Sequence, residues 1–374
     1  MRAWLKTVNL IMKRTLLVLV SVLLSAVLLE LFLRVYNPTR STTRGDRIVL
    51  STNQKWQVSS PPNSLLDSEV LHVKNNIGFR GEDYHEAGDP LRVFTIGGST
   101  TENTYLTEGK TWSDVLLEKL QGNFRNIWLN NAGFSGHSTF AHKIMVQDHV
   151  RQYGPDVLVF LIGMNDVHRD DLNVDQLRIY QTAVWPLARH SELAALLLNI
   201  SRGFRAERRN LTHDTGGLQE NWIIDWEVSP DDFAWAIPFT ERLLPGYRDR
   251  LSELVEVAQE SGTAVVLVTQ PVLYGEGIDD RTGLDLAKIH INGGQDGKTA
   301  WNVLQMYNAV TREVARDKSV HLIDLSQILP KSSYYFYDTM HFTNEGAQEV
   351  ADILYRGVCD YMSSRFSNYL ISEC

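Results

Sequence analysis

From residue 91 onward, short runs of β-branched and aliphatic residues alternate with longer stretches of helical spacing, and this alternation restricts the fold more than any other feature of the chain. LRVFTIG (91–97), NIWLN (126–130), DVLVFLIG (156–163), AVVLVTQ (264–270) and VHLID (320–324) read as strands. Residues 111–120, 139–152, 246–261, 300–317 and 344–363 carry the apolar spacing of helices. Near-continuous apolar strands separated by helices imply a parallel sheet covered on both faces, an α/β/α sandwich. The gap between the third and fourth strands is too long for one crossover. Residues 168–245, with Trp185, Trp222, Trp226, Trp235 and the basic group Arg202, Arg205, Arg208 and Arg209, are therefore expected to form an insertion, helical near 189–208. At the carboxyl end of a strand such an insertion would border the ligand crevice. Its tryptophans equally suit a small core of its own.

The amino-terminal region follows different rules. Residues 15–33 read TLLVLVSVLLSAVLLELFL, 15 of 19 apolar, with Glu30 the only charge. As a helix this segment would be about 28 Å long, enough to span the hydrocarbon of a bilayer. Arg2, Lys6, Lys13 and Arg14 precede it, the basic flank expected on the cytoplasmic side, which puts the rest of the chain outside the cytoplasm. An uncleaved anchor is favoured over a cleaved signal because the apolar run exceeds the usual signal core and no small-x-small site follows before Tyr36 and Pro38. A buried helix of a soluble protein is the least favoured reading, since few core helices are apolar all round. The resulting organisation is a cytoplasmic segment 1–14, a transmembrane signal-anchor 15–33, a stalk and N-terminal extension 34–88, a main domain 89–365 containing the insertion 168–245, and a tail 366–374.

Charge excludes some partners. The 374 residues hold 36 Lys and Arg against 45 Asp and Glu, a net −9. Residues 1–47 have eight basic and two acidic side chains, a surplus of six, so the remainder carries −15. An acidic domain lacks the basic surface that neutralises phosphates, which argues against nucleic acid as a partner. Cys359 and Cys374 cannot build a disulfide framework or a Cys-rich zinc site; they either form one bridge in an oxidising compartment or remain two thiols. His137, His142 and His149 lack carboxylates in a metal-binding pattern and read as loop and helix residues. No cofactor or metal is expected.

Four short motifs fall at strand ends or beside the last helix. The first strand runs into Gly97-Gly98-Ser99-Thr100, and a serine on a glycine turn at a strand end exposes its hydroxyl as a nucleophile requires. Asn131-Ala132-Gly133-Phe134-Ser135-Gly136-His137-Ser138 comes after the second strand; its glycines let backbone N–H groups approach a ligand. Gly163-Met164-Asn165-Asp166 ends the third, where the Asn165 carboxamide is a neutral donor for developing negative charge and Asp166 suits an N-cap of the next segment. In Asp338-Thr339-Met340-His341-Phe342, ahead of Thr343 as N-cap of the last helix, Asp338 can accept the imidazole Nδ1 proton and leave Nε2 as a base. Each motif alone is an ordinary turn; three of them together on one edge of the sheet, with the fourth after them, are not.

GGST, NAGFSGHS, GMND and DTMHF, in this order over roughly residues 90–360, resemble the four blocks of the SGNH (GDSL-type) hydrolases. Asn76-Ile77-Gly78-Phe79-Arg80-Gly81 resembles the segment ahead of the first block in membrane-anchored bacterial members. The resemblance implies a flavodoxin-like sandwich, Ser99 as nucleophile, His341 and Asp338 completing a catalytic triad, and Ser99, Gly136 and Asn165 as oxyanion-hole donors. The first block departs from the family pattern with Gly98 in place of Asp and Thr100 in place of Leu.

The function expected on these grounds is a membrane-tethered serine esterase acting through an acyl-enzyme on an ester-bearing glycan or lipid, such as O-acetyl groups of an envelope glycan. An O-acyltransferase passing the acyl group to a sugar hydroxyl would use the same residues. A non-catalytic envelope binding or assembly subunit on a hydrolase scaffold is the third reading, opposed by the presence of all five catalytic-type residues.

Overall fold

The computed structural model describes residues 2–36, 43–44, 47–60, 65–168, 188, 190–208, 233–260, 262–291 and 295–374. The chain divides into two units, Met1–Val49 with Gln176–Arg209, and Leu50–Asp175 with Asn210–Cys374. Trp185, Trp222, Trp226 and Arg209 of the expected insertion lie outside the described residues.

In the first unit, helix α1 (Arg2–Val35) contains a 28-residue stretch, Val8–Val35, long and apolar enough to cross a membrane, within which an 18-residue segment has a mean hydropathy of 2.8. Only 6% of that segment is buried, which does not fit the core helix of a soluble protein. Near its end Glu30 pairs with Arg34 at 2.9 Å, one helical turn on. The same carboxylate receives the Ser191 hydroxyl at 2.8 Å and the backbone N–H groups of Glu192 and Leu193 at 3.1 and 3.0 Å. These are the first N–H groups of the helix Glu192–Arg208, which have no partner within it, so a residue of α1 satisfies its amino end.

The second unit is built on a six-stranded sheet. Its strands are β3 (Arg80–Gly81), β4 (Leu91–Gly97), β5 (Ile127–Asn131), β6 (Val157–Ile162), β7 (Ala264–Thr269) and β8 (His321–Ile323), in spatial order β8-β7-β6-β4-β5-β3; ahead of them β1 (Gln54–Ser59) and β2 (Glu69–Lys74) form a separate antiparallel hairpin. Five strands are parallel, as their apolar runs require. The edge strand β3 is antiparallel to β5 and makes the sheet mixed; two residues are too short for a hydrophobic pattern to reveal.

Helix α2 (Ser99–Glu102) is a single turn after β4, and α3 (Trp112–Gln121) packs with the last helix, α8 (Asn344–Arg365), on one face of the sheet. The other face is covered by α4 (Thr139–Ile144), α6 (Ala236–Gln259) and α7 (Gly297–Asp317), with α5 denoting Glu192–Arg208 of the first unit. Two helices differ from their sequence patterns. Residues 139–152 are not one α-helix, since α4 passes into a π-helical turn at Met145–Val150 and a 3-10 turn at Arg151–Tyr153. Helix α6 begins well before 246 and carries Pro245 inside it, so the expected insertion ends within a helix rather than ahead of one.

Cys359 and Cys374 form a disulfide. It fixes the tail, whose Ile371 N–H also donates to Asn123 O at 2.7 Å, against the second unit.

Because β5 lies on one side of β4 and β6 on the other, the chain reverses its order across the sheet at β4. In a sheet of this kind the crevice opens at that switch point, outside the carboxyl ends of the strands. The first three motifs follow β4, β5 and β6.

Candidate active site

Strand β4 delivers Ser99 to the first position of α2, whose turn is closed by the Thr101 and Glu102 N–H groups donating to Gly98 O at 3.0 and 2.9 Å. Ser99 is half-buried and its Oγ lies 2.8 Å from His341 Nε2. His341 Nδ1 is 2.6 Å from Asp338 Oδ2, and the other oxygen of Asp338 accepts the N–H groups of Met340 and His341 at 2.8 and 2.7 Å. A carboxylate can only accept, so Nδ1 carries the proton and Nε2 turns a lone pair to the Ser99 hydroxyl. Asp338 and His341 are both buried, which keeps water from competing for these bonds.

The loop bearing the pair is held at both ends. Tyr337 N–H donates to His341 O at 3.0 Å, and the Tyr337 ring stacks on the imidazole with centroids 5.6 Å apart. Thr343 caps α8 by accepting the Gly346 N–H at 2.9 Å, as its position ahead of the helix suggests.

On the opposite side of Ser99, Gly163 (φ 122°) turns the chain out of β6 and presents Asn165. One carboxamide hydrogen of Asn165 goes to His137 O at 3.0 Å, which fixes the amide plane and leaves the second hydrogen for a ligand. A cavity of about 10 Å³ adjoins Ser99, lined among others by Gly98, Asn165, His137, His142 and Gln270. His137 and His142 thus stand beside the candidate nucleophile rather than in an unrelated stretch. Burial, reinforced by the neighbouring His137, holds the His142 imidazole well below its usual pKa, so it sits there neutral. Gly136 (φ 79°) precedes His137 in a loop pinned to the end of β4 by the Phe134 N–H donating to Gly97 O at 3.0 Å. Among the described residues no three His, Cys, Asp or Glu side chains converge as a metal site.

A second set of charged residues lies under this site, with no motif in the sequence to announce it. The Glu102 carboxylate accepts the Ser135 N–H at 2.8 Å and the Ser135 hydroxyl at 2.7 Å, and pairs with Lys74 at 3.3 Å. It therefore ties the nucleophile's turn to the loop that carries Gly136. Lys74, nearly inaccessible, also lies over the Phe134 ring at 4.2 Å. Burial would raise the Glu102 carboxyl, but the Lys74 ammonium and the two bonds from Ser135 outweigh it and hold it at about 2.

Arg80, of the Asn-Ile-Gly-Phe-Arg-Gly segment, is fully buried and donates to Glu102 O, Asn103 O and Leu106 O, each at 2.7 Å, while pairing with Glu108 at 2.8 Å. The resemblance of that segment was the available signal for Arg80. Asp166 reaches to α4 and accepts the Thr139 N–H at 3.2 Å and hydroxyl at 2.6 Å, while the segment it was expected to cap lies outside the described residues.

The model of the GDSL-like lipase/acylhydrolase family matches residues 95–349. Among solved structures, an acetyl xylan esterase, AlAXEase, is similar over 71% of this chain and 99% of its own, at 17% identity and a TM-score of 0.41. The acetylxylan esterase Axe2 from Geobacillus stearothermophilus is similar over 73% of this chain and 96% of its own, at 15% identity and a TM-score of 0.42. LAE5, an alpha/beta hydrolase enzyme from the metagenome of Lake Arreo, is similar over 71% and 94%, at 18% identity and a TM-score of 0.41. No curated protein sequence matches.

Proposed function

The chain belongs to the GDSL-like lipase/acylhydrolase family and is an SGNH-type serine esterase; from that premise we propose that it is anchored in a membrane and removes short acyl groups, O-acetyl above all, from an envelope glycan. The observation that carries the catalytic part is the unbroken hydrogen-bond chain from Asp338 through His341 to Ser99 Oγ. In this reading Ser99 Oγ bonds to the ester carbonyl carbon while His341 Nε2 takes its proton, and the imidazolium so formed is stabilised by Asp338. The carbonyl oxygen becomes an oxyanion held by the N–H groups of Ser99 and Gly136 and the Asn165 amide. His341 then protonates the departing alcohol oxygen. Water, deprotonated by the same imidazole, cleaves the acyl-enzyme and returns Ser99 to its starting state.

Acetyl is favoured by size. The cavity of about 10 Å³ beside Ser99 has room on the order of one water-sized group, which suits a methyl better than an alkyl chain.

Anchorage is favoured over cleavage by Glu30. Removing α1 would leave the amino end of α5 without the carboxylate that receives its N–H groups. Placement outside the cytoplasm is supported by the Cys359–Cys374 disulfide, a bond that persists in oxidising compartments.

An ester panel from acetyl to long acyl, run on the wild type and Ser99→Ala with and without an acetylated glycan and a free sugar acceptor, tests the proposal. Turnover should be greatest for acetyl, absent in Ser99→Ala, and directed to water. A preference for long chains would refute the acetyl assignment, and transfer to the sugar in preference to water would make the protein an acyltransferase.

A further inference from the structure

Helix α5 turns outward a stripe that a soluble helix would bury. Leu193, Leu196, Leu197, Ile200 and Phe204 recur at i, i+3, i+4, i+7 and i+11, which places them on one face. Leu197, Ile200 and Phe204 are 59%, 48% and 64% exposed. The opposite side, through Ala195 and Leu198, is buried within the first unit. The second half of the helix carries Arg202, Arg205 and Arg208.

The covering of the exposed face is set by where the helix is fastened. Its first N–H groups bond to Glu30, and Arg34 Nη2 donates to His190 O at 2.9 Å. Glu30 stands five residues before the end of α1, about 7–8 Å along the axis. Helix α5 therefore starts beside the last turns of the apolar span, where such a span meets the headgroups. Its apolar part, Glu192–Ser201, is ten residues long, half of what a crossing requires. A helix that cannot span, is apolar on one face, ends in arginines and begins at the membrane boundary fits the bilayer surface.

We infer that α5 is an interfacial helix, lying in the leaflet from which α1 emerges, with Leu197, Ile200 and Phe204 among the upper acyl chains and the exposed Arg208 available to lipid phosphates. This rests on the reading of α1 as a membrane anchor. The charge of the arginines makes an anionic leaflet the preferred surface. Chain connectivity gives the contact a use: residues 176–209 leave the second unit and return to it, so the esterase would be joined to the membrane through an internal segment as well as its amino terminus.

The test uses the full chain in bilayers of phosphatidylcholine and phosphatidylglycerol containing lipids with a nitroxide near the headgroup. A polarity-sensitive fluorophore is attached to a cysteine introduced singly as Ile200→Cys, Phe204→Cys, Leu24→Cys within α1, or Asp148→Cys on the exposed surface of the second unit; the native cysteines are paired and stay unlabelled. Emission from positions 200 and 204 should be blue-shifted and quenched by the nitroxide, whereas position 148 should show neither change. Quenching at 24 without quenching at 200 and 204 would overturn the interfacial helix and leave the anchor standing. A blue shift at 200 and 204 without quenching would overturn it in favour of a covering protein, a second copy included. Absence of both blue shift and quenching at 24 would overturn the anchor and the interfacial helix together.

Discussion

A β-carbon on residue 98 would lie 2.2 Å from Nδ2 of Asn165, so the carboxamide occupies space that only a glycine leaves open. Gly98 stands where the family pattern has Asp, and in this chain a side chain there would have to displace the Asn165 amide. Gly98→Ala should keep the fold and displace Asn165. If the amide is an oxyanion donor, kcat should fall about 10²- to 10³-fold, the usual cost of losing one such donor, and Asn165→Ala should fall as far. Near-wild-type kcat in Asn165→Ala would remove Asn165 from the mechanism.

Ser99→Ala should abolish both turnover and labelling by a fluorophosphonate. Asp338→Asn is expected to leave Ser99 present but its base in the wrong tautomer, with a loss on the order of 10⁴-fold in kcat. Failure of the folded wild type to label would indicate a binding protein instead of an esterase.

Glu102→Gln removes the charge opposite buried Lys74 while keeping an acceptor for Ser135. Breaking a buried pair by removing one partner costs about 3–5 kcal/mol, readable in urea denaturation. The loop carrying Gly136 should loosen as well, so kcat on acetyl esters should drop in variant protein that remains folded. Unchanged stability would mean that the Lys74–Glu102 pair contributes nothing net.

Stability should fall on acidification in two stages. His72 stacks on Trp56 with centroids 4.2 Å apart and is fully buried; burial, with the Arg80 and Lys74 charges, lowers its pKa to about 3 from 6.5. The folded state then resists protonation that the unfolded state accepts, so stability is complete above about pH 6.5 and declines from there toward pH 3. His142, lowered in the same direction, adds to this stage. The Glu102 carboxylate, held at about 2 against 4.5, adds a second loss from about pH 4.5 downward. Thermal midpoints that stay level from pH 7 to 5 would contradict the burial of His72.

Reduction of Cys359–Cys374 should lower the thermal midpoint without altering kcat, because the bond ties down a tail remote in sequence from the catalytic motifs. Closing a loop of 15 residues is worth about 3 kcal/mol in the chain-entropy account. Loss of activity in step with reduction, at a temperature where the protein stays folded, would show that the tail supports the site.

What could be seen in the sequence was local. Each of Ser99, Gly136 and Asn165 lies within a few residues of an apolar strand run, and Asp338, His341 and Thr343 sit within six consecutive positions. The strands β4, β6 and β7 were legible because burial on both faces leaves few positions for polar residues. The support beneath the site was not legible, because its members are distant in sequence. Lys74, Glu102 and Ser135 meet across three elements, and as isolated residues they look like surface charges and a loop hydroxyl. Gly98 shows its constraint only once Asn165 is placed against it. Helix α6 extends beyond its legible apolar spacing, starting at Ala236 and carrying Pro245, a residue that usually marks a helix boundary, inside it.

The bond between Glu30 and the start of α5 also orders events in biogenesis. Residues 50–175 must be synthesised after α1 and before Ser191, Glu192 and Leu193 exist to receive the carboxylate. An anchored chain would thus enter the membrane carrying an acidic residue paired only with Arg34, and complete that end of the anchor when the middle of the polypeptide arrives. In the proposed topology, translocation of residues 50–175 would be a step that the anchor itself awaits.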